Sequence, residues 1–104
     1  MNTVIKGGTL VTASEIMQAD IQINGEKIAL LSREIFPEPG DRVIDATGLY
    51  VLPGGVDAHV HLDLPMAGTV TADDHYTGTK AAAFGGTTFV IDFISQALSP
   101  PTPR

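Results

Sequence analysis

Cysteine is absent from this chain of 104 residues, and only six residues are Lys or Arg against twelve Asp or Glu. The lack of cysteine excludes disulfides and thiolate metal sites, so any metal must be bound by histidine and carboxylate. The net charge of −6, without a basic cluster, makes nucleic acid and anionic membranes poor partners. No apolar run approaches a membrane span, and no basic-then-apolar leader opens the chain. A cytoplasmic protein is the default expectation.

Short strands and tight turns are predicted for residues 1–52. Hydrophobic residues make up 43% of the chain and charged residues 17%, which is typical of a globular protein. Gly7-Gly8 lies between two short β-prone runs and predicts a hairpin. Asn24-Gly25 predicts a second hairpin with a type I′ turn, in which both central residues have positive φ. We therefore expect a small all-β, sandwich-like part.

The pattern changes at Pro53-Gly54-Gly55, and residues 53–94 predict a strand, a helix and a strand. The expected elements are a strand over 56–62, a helix over 72–84 that Thr71 and Asp74 would cap, and an apolar strand over 87–93. This order indicates one βαβ unit with parallel strands. The fold class is therefore mixed, with an incomplete (β/α)₈ barrel after the β part. Residues 95–104, rich in proline, are expected to be irregular or disordered.

His59 and His61 lie two residues apart in a strictly alternating run, so a strand directs both imidazoles to one face. Asp57 and Asp63 share that face and are interpreted as hydrogen-bonding groups beside the histidines. Because burial of four such groups without partners would be costly, a divalent cation is the favoured explanation. A half-exposed antiparallel strand would fit the alternation alone, but it fits poorly with the following helix and apolar strand. His75 is expected to be a solvated helix residue.

The run from Pro53 to His61, with the following residues to Asp74, resembles the dihydropyrimidinase and D-hydantoinase family of the amidohydrolase superfamily. Gly85-Gly86-Thr87-Thr88 and Asp92-Phe93 are similar to the same family. The resemblance implies a β-sandwich built from both chain ends, and a barrel holding two zinc ions bridged by a carboxylated lysine and a hydroxide. It implies that His59 and His61 bind one zinc, and that Leu64 and Met66 belong to a substrate-gating loop.

The family's bridging lysine, two further histidines and catalytic aspartate have no counterpart here, so we assign no catalytic residue. The expected function is that of an N-terminal fragment of a zinc-dependent hydrolase that opens dihydropyrimidine or hydantoin rings. We expect the fragment to be inactive alone and to bind zinc weakly. By analogy, the full enzyme would act on a small cyclic amide and form a homo-oligomer.

Two alternatives remain open. The chain could be a non-catalytic truncated relative that serves as an interaction or oligomerisation fragment. It could also be related to allantoinase or dihydroorotase, although the run Asp63–Asp74 fits those families less well.

Overall fold

The computed structural model describes residues 1–93, and within this range the chain is mostly β with one helix. The predicted irregular tail over residues 95–104 lies outside the described residues. Within residues 1–93, no helix has the length and apolar character needed to cross a membrane. In chain order the elements are β1 (Thr3–Lys6), β2 (Thr9–Val11), β3 (Ile16–Gln18), β4 (Asp20–Asn24), β5 (Lys27–Ser32), β6 (Arg42–Asp45), β7 (Tyr50–Val51), β8 (Gly55–Val60), β9 (Pro65–Met66), β10 (Thr69–Val70), α1 (His75–Phe84) and β11 (Thr87–Asp92).

The chain divides into two compact units, Met1–Pro53 and the part from Gly54 onward. The first unit contains a four-stranded sheet in the order β5-β4-β1-β6 and a three-stranded sheet in the order β3-β2-β7. Leu10 of one sheet and Ile21 of the other lie in a single buried cluster with Ala19. Apolar side chains from both sheets therefore share one core, which makes this part of the chain β-rich and layered.

The hairpin predicted at Gly7-Gly8 is wrong. β1 pairs with β4 and β6, whereas β2 pairs with β3 and β7, so the two glycines connect two different sheets. Gly7 has φ +73, and a Cβ atom at Gly8 would lie 2.6 Å from Val51 Cγ2. The glycines are needed for a sharp crossing under close packing, rather than for a two-residue turn.

The second hairpin is confirmed, but its turn type is not. β4 and β5 pair antiparallel, and Asn24 faces Lys27 as the last pair. The central residues are therefore Gly25 and Glu26, and only Gly25 has positive φ. A glycine at the first central position is the type II′ pattern, so the turn lies one residue later than Asn-Gly predicted.

Asp20 is the one charged residue that is buried within residues 1–93, at 4% exposure. Its carboxylate accepts hydrogen bonds from the backbone N–H of Gly7 at 2.8 Å and of Ile35 at 2.9 Å, and from Lys6 Nζ at 2.9 Å. The Gly7 N–H, then Lys6 and Ile35, lower the pKa of Asp20 to about 2 against the opposing effect of burial. The carboxylate thus joins the start of β4 to the crossing between the sheets and to the segment after β5.

The ionisation of Asp20 should make the stability of the chain depend on pH in the acid range. Since the folded pKa lies below the unfolded value of 3.8, the stabilisation is complete above that value and is lost as pH falls toward about 2. We expect the free energy of unfolding of the parent chain to fall by about 2 kcal/mol across this window because of Asp20. Denaturant titrations at several pH values measure this.

In Asp20→Asn this part of the pH dependence should disappear, and the free energy of unfolding at pH 7 should fall by about 2 kcal/mol or more, because three donors lose a charged acceptor. Glu26→Gln removes the same charge at an exposed turn and serves as the control. An unchanged acid profile in Asp20→Asn would contradict this account.

The second unit has a parallel strand–helix–strand arrangement, as predicted. β8 and β11 pair in parallel, with α1 between them in the chain. The helix begins later than predicted: Asp74, not Thr71, is the N-cap, and its carboxylate forms a capping box with Thr77. The Thr77 backbone N–H lowers the pKa of Asp74. Asp74 is preferred because its side chain reaches an N–H three residues ahead, whereas Thr71 Oγ1 accepts from Leu64 N–H at 3.0 Å.

Close packing at Gly54 allows β8 to begin beside β11. A Cβ atom added at Gly54 would overlap the side chain of Thr88 and lie only 2.7 Å from the Thr88 Cβ. A Cβ atom added at Gly55 would lie 3.4 Å from its nearest neighbour, Thr87 Oγ1. We expect Gly54→Ala to lower the free energy of unfolding by about 1–3 kcal/mol through overpacking. Gly55→Ala is the matched control and should be close to neutral in the same denaturant titration. Equal losses in the two variants would rule out the steric explanation.

Candidate metal centre

The two histidines lie at the carboxyl end of β8. This strand ends at Val60 rather than Leu62, so His59 is inside the strand and His61 is the first residue after it. The pairing with β11 continues at this end, because the N–H of Phe93 donates to the carbonyl oxygen of Val60 at 3.1 Å. The backbone around both histidines is therefore held by the neighbouring strand.

The imidazoles converge. The Nε2 atoms of His59 and His61 are 3.1 Å apart, with ring centroids at 4.9 Å and ring planes at 71°. Two nitrogen ligands of one tetrahedral zinc, each at about 2.0–2.1 Å, would lie roughly 3.3 Å from one another. The observed separation is close to that value, so the pair fits two ligand positions of a single ion.

The proton on His61 follows from its hydrogen bond. Its Nδ1 lies 3.3 Å from the carbonyl oxygen of Phe93, and because a carbonyl only accepts, this contact is a hydrogen bond in the tautomer that has the hydrogen on Nδ1. In the neutral ring, Nε2 then has a free lone pair directed toward His59. This is the outer-sphere contact that orients a metal-binding histidine and selects its tautomer.

The pair is incomplete as a metal site. Among the described residues, no group of three or more His, Cys, Asp or Glu side chains could hold a metal ion. Asp57, which shares the run with the histidines, uses its Oδ1 to accept the backbone N–H of His59 at 3.2 Å. Because zinc sites that perform chemistry use three protein ligands and an open position, further ligands would have to come from elsewhere.

Asp92, the last residue of β11, links three segments near this site. Its Oδ1 accepts the N–H of Leu62 at 3.4 Å, and its Oδ2 lies 3.0 Å from His75 Nε2. His75 was expected to be a solvated helix residue; its side chain is 64% exposed, yet it pairs with Asp92. The acidic residue at the end of an otherwise apolar strand was the available signal.

The two predicted gate residues lie in different surroundings. Leu64 is 7% exposed, and its backbone is bonded to Thr71, whereas Met66 is 57% exposed in β9. β9 and β10 form a hairpin whose two turn residues, Ala67 and Gly68, both have positive φ. The role of Leu64 and Met66 in substrate gating stays a prediction.

Ala67 is the strained residue of this hairpin, with φ +51. Left-handed backbone costs an ordinary residue about 1 kcal/mol, and asparagine tolerates it better. We expect Ala67→Asn to raise the free energy of unfolding by about 0.5–1 kcal/mol, measured by denaturant titration. Gly68→Ala, at φ +80, is the matched control and should destabilise the chain. A loss of stability in Ala67→Asn would contradict this backbone conformation.

The chain is similar in sequence and in structure to proteins named D-hydantoinase or dihydropyrimidinase. A D-hydantoinase of Geobacillus stearothermophilus is 58% identical over 104 residues, which are 100% of this chain and 22% of the relative. A D-hydantoinase of Streptomyces coelicolor is 46% identical over 92% of this chain and 21% of its own length. The crystal structure of dihydropyrimidinase from Brevibacillus agri aligns with a TM-score of 0.82 and 54% identity, covering 88% of this chain and 20% of that one. No family model matches the chain.

These three relatives are hydrolases of cyclic amides. More narrowly, the chain matches an N-terminal part of D-hydantoinases and dihydropyrimidinases. It spans about a fifth of the length of the curated relatives it matches.

Proposed function

We propose that this chain provides the first two histidine ligands, His59 and His61, of a zinc-dependent hydrolase that opens dihydropyrimidine or hydantoin rings. The observation that supports this most directly is the 3.1 Å separation of the two Nε2 atoms at the end of a parallel strand. In α/β barrels, the carboxyl ends of the strands are where reactive side chains are placed. When bound, the metal would lower the pKa of a water molecule and polarise a carbonyl group.

The residues of the chain itself would bind and orient. His59 and His61 would hold the ion through Nε2, and the Phe93 carbonyl would keep the proton of His61 on Nδ1. His59 would need its proton on Nδ1 as well, so that both Nε2 lone pairs are free. Met66, exposed on the β9–β10 hairpin, is the better placed of the two gate residues to reach a substrate ring.

We further propose that the strand–helix–strand unit is the beginning of a (β/α)₈ barrel and that the chain is inactive alone. Within the described residues, β8 and β11 pair only with each other, and apolar side chains such as Val56 and Phe89 are 65% and 59% exposed. A barrel strand has a neighbour on both sides, so further strands would satisfy these edges. The homo-oligomeric state and the cytoplasmic location stay predictions.

Zinc binding by the purified chain tests the ligand assignment. We expect one weak zinc site, measured by calorimetric titration, that is lost in His59→Ala and in His61→Ala, because a single imidazole holds the ion too poorly. His75→Ala is the matched control; it removes an imidazole from the helix and should leave zinc affinity unchanged within about twofold.

Hydrolysis of dihydrouracil, followed by its loss of absorbance, tests the inactivity of the chain. We expect no zinc-dependent turnover by the 104-residue chain. Turnover would show that a complete active site assembles without further barrel strands.

In the zinc titration, a zinc site that survives in the His59→Ala/His61→Ala double variant would refute the assignment of these ligands.

A further inference from the structure

Phe93 contacts both histidines of the proposed metal site through two different groups. Its ring stacks on His59, with centroids 4.1 Å apart and planes at 23°, and its carbonyl oxygen lies 3.3 Å from His61 Nδ1. We propose that Phe93 is a positioning residue that holds the two imidazoles in the convergent arrangement before a metal binds. This inference rests on the proposed function, in that the arrangement serves a metal.

The ring contact restricts His59. An imidazole rotates over a broad range about χ2, and His59 is exposed on its strand, so its plane is limited by the Phe93 ring and by the 3.1 Å contact of its Nε2 with His61 Nε2. A ring stacked at 4.1 Å, with its plane at 23° to the imidazole, restricts this rotation. The corresponding distance to the His61 ring is 6.3 Å with planes at 62°, so the stacking acts on His59 alone.

The carbonyl contact restricts His61. Because the carbonyl oxygen accepts only, it keeps the hydrogen on Nδ1 and turns Nε2 toward His59. This contact belongs to the backbone and survives any substitution of the Phe93 side chain. The two contacts are therefore separable: a side-chain variant releases His59 and leaves the tautomer of His61 in place.

The position of Phe93 is itself fixed from β8. Its N–H donates to the carbonyl oxygen of Val60, the residue between the two histidines, at 3.1 Å. The preceding Asp92 accepts the N–H of Leu62 and pairs with His75. The Phe93 residue is 48% exposed, which is more than a core-filling residue would be. The stacking contact of its ring is therefore with His59, and the ring is not enclosed in a hydrophobic core.

Nuclear magnetic resonance of the metal-free 104-residue chain tests the positioning directly. We expect the carbon-bound ring protons of His59 to be shifted upfield by the Phe93 ring, and those of His61 and His75 to be shifted less. Long-range ¹⁵N–¹H spectra should show the Nδ1-protonated tautomer of His61. In Phe93→Leu the His59 shift should disappear while the His61 tautomer persists.

Zinc titration of the same variants measures the consequence. Phe93→Leu should bind zinc roughly two- to tenfold more weakly, the range expected for loss of one aromatic stack. Phe93→Tyr keeps the ring face and should bind within about twofold of the parent. Phe89→Leu, which removes an exposed phenylalanine from β11, the strand just before Phe93, should do the same.

An absent upfield shift of His59 in the parent chain overturns the inference, and this result needs no variant to fold. Equal weakening in Phe89→Leu and Phe93→Leu also overturns it, because the effect would then be general to the strand. Loss of the His59 shift in Phe93→Leu, together with no zinc binding by the parent chain, would support the positioning of the rings and contradict the weak zinc site expected of this chain.

Discussion

The parallel pairing of β8 with β11 is the constraint on which the candidate site depends. It brings the end of β11 beside the two histidines, and the bond from the Phe93 N–H to the Val60 carbonyl oxygen fixes the backbone between them. Without a neighbouring strand, His59 and His61 would be two exposed imidazoles on a flexible end. With it, their Nε2 atoms converge to 3.1 Å, a separation that suits one bound ion.

In each unit, one carboxylate stabilises a place where separate chain segments meet. Asp20 is buried, and its carboxylate takes hydrogen bonds from Gly7, Ile35 and Lys6, so the crossing between the two sheets is stabilised by one charged acceptor. In the second unit, Asp92 accepts from Leu62 and pairs with His75, which joins two strand ends and the helix start. Both carboxylates satisfy backbone N–H groups that regular pairing leaves free.

Much of the local structure could be predicted because short-range patterns specify it. The β4–β5 hairpin, the helix end at Phe84 and the parallel strand–helix–strand order followed from turn chemistry and periodicity. Two of the failures came from contacts outside the local segment. Gly7-Gly8 has the composition of a hairpin turn, yet the two flanking strands pair with other strands and lie in separate sheets. At the helix start, Asp74 displaced Thr71 because the Thr71 hydroxyl is bonded to Leu64 instead.

The sequence alone determined that His59 and His61 share one face of a strand, since alternation is a local property of extended backbone. It also determined, through the absence of cysteine, that any metal must be held by histidine and carboxylate. Only the tertiary structure decided that the two rings converge, that Phe93 stacks on one and accepts from the other, and that Asp92 pairs with His75. The contacts of Phe93 and Asp92 join residues 17 to 34 positions apart, and their distances depend on the register of β8 against β11, which no local pattern encodes.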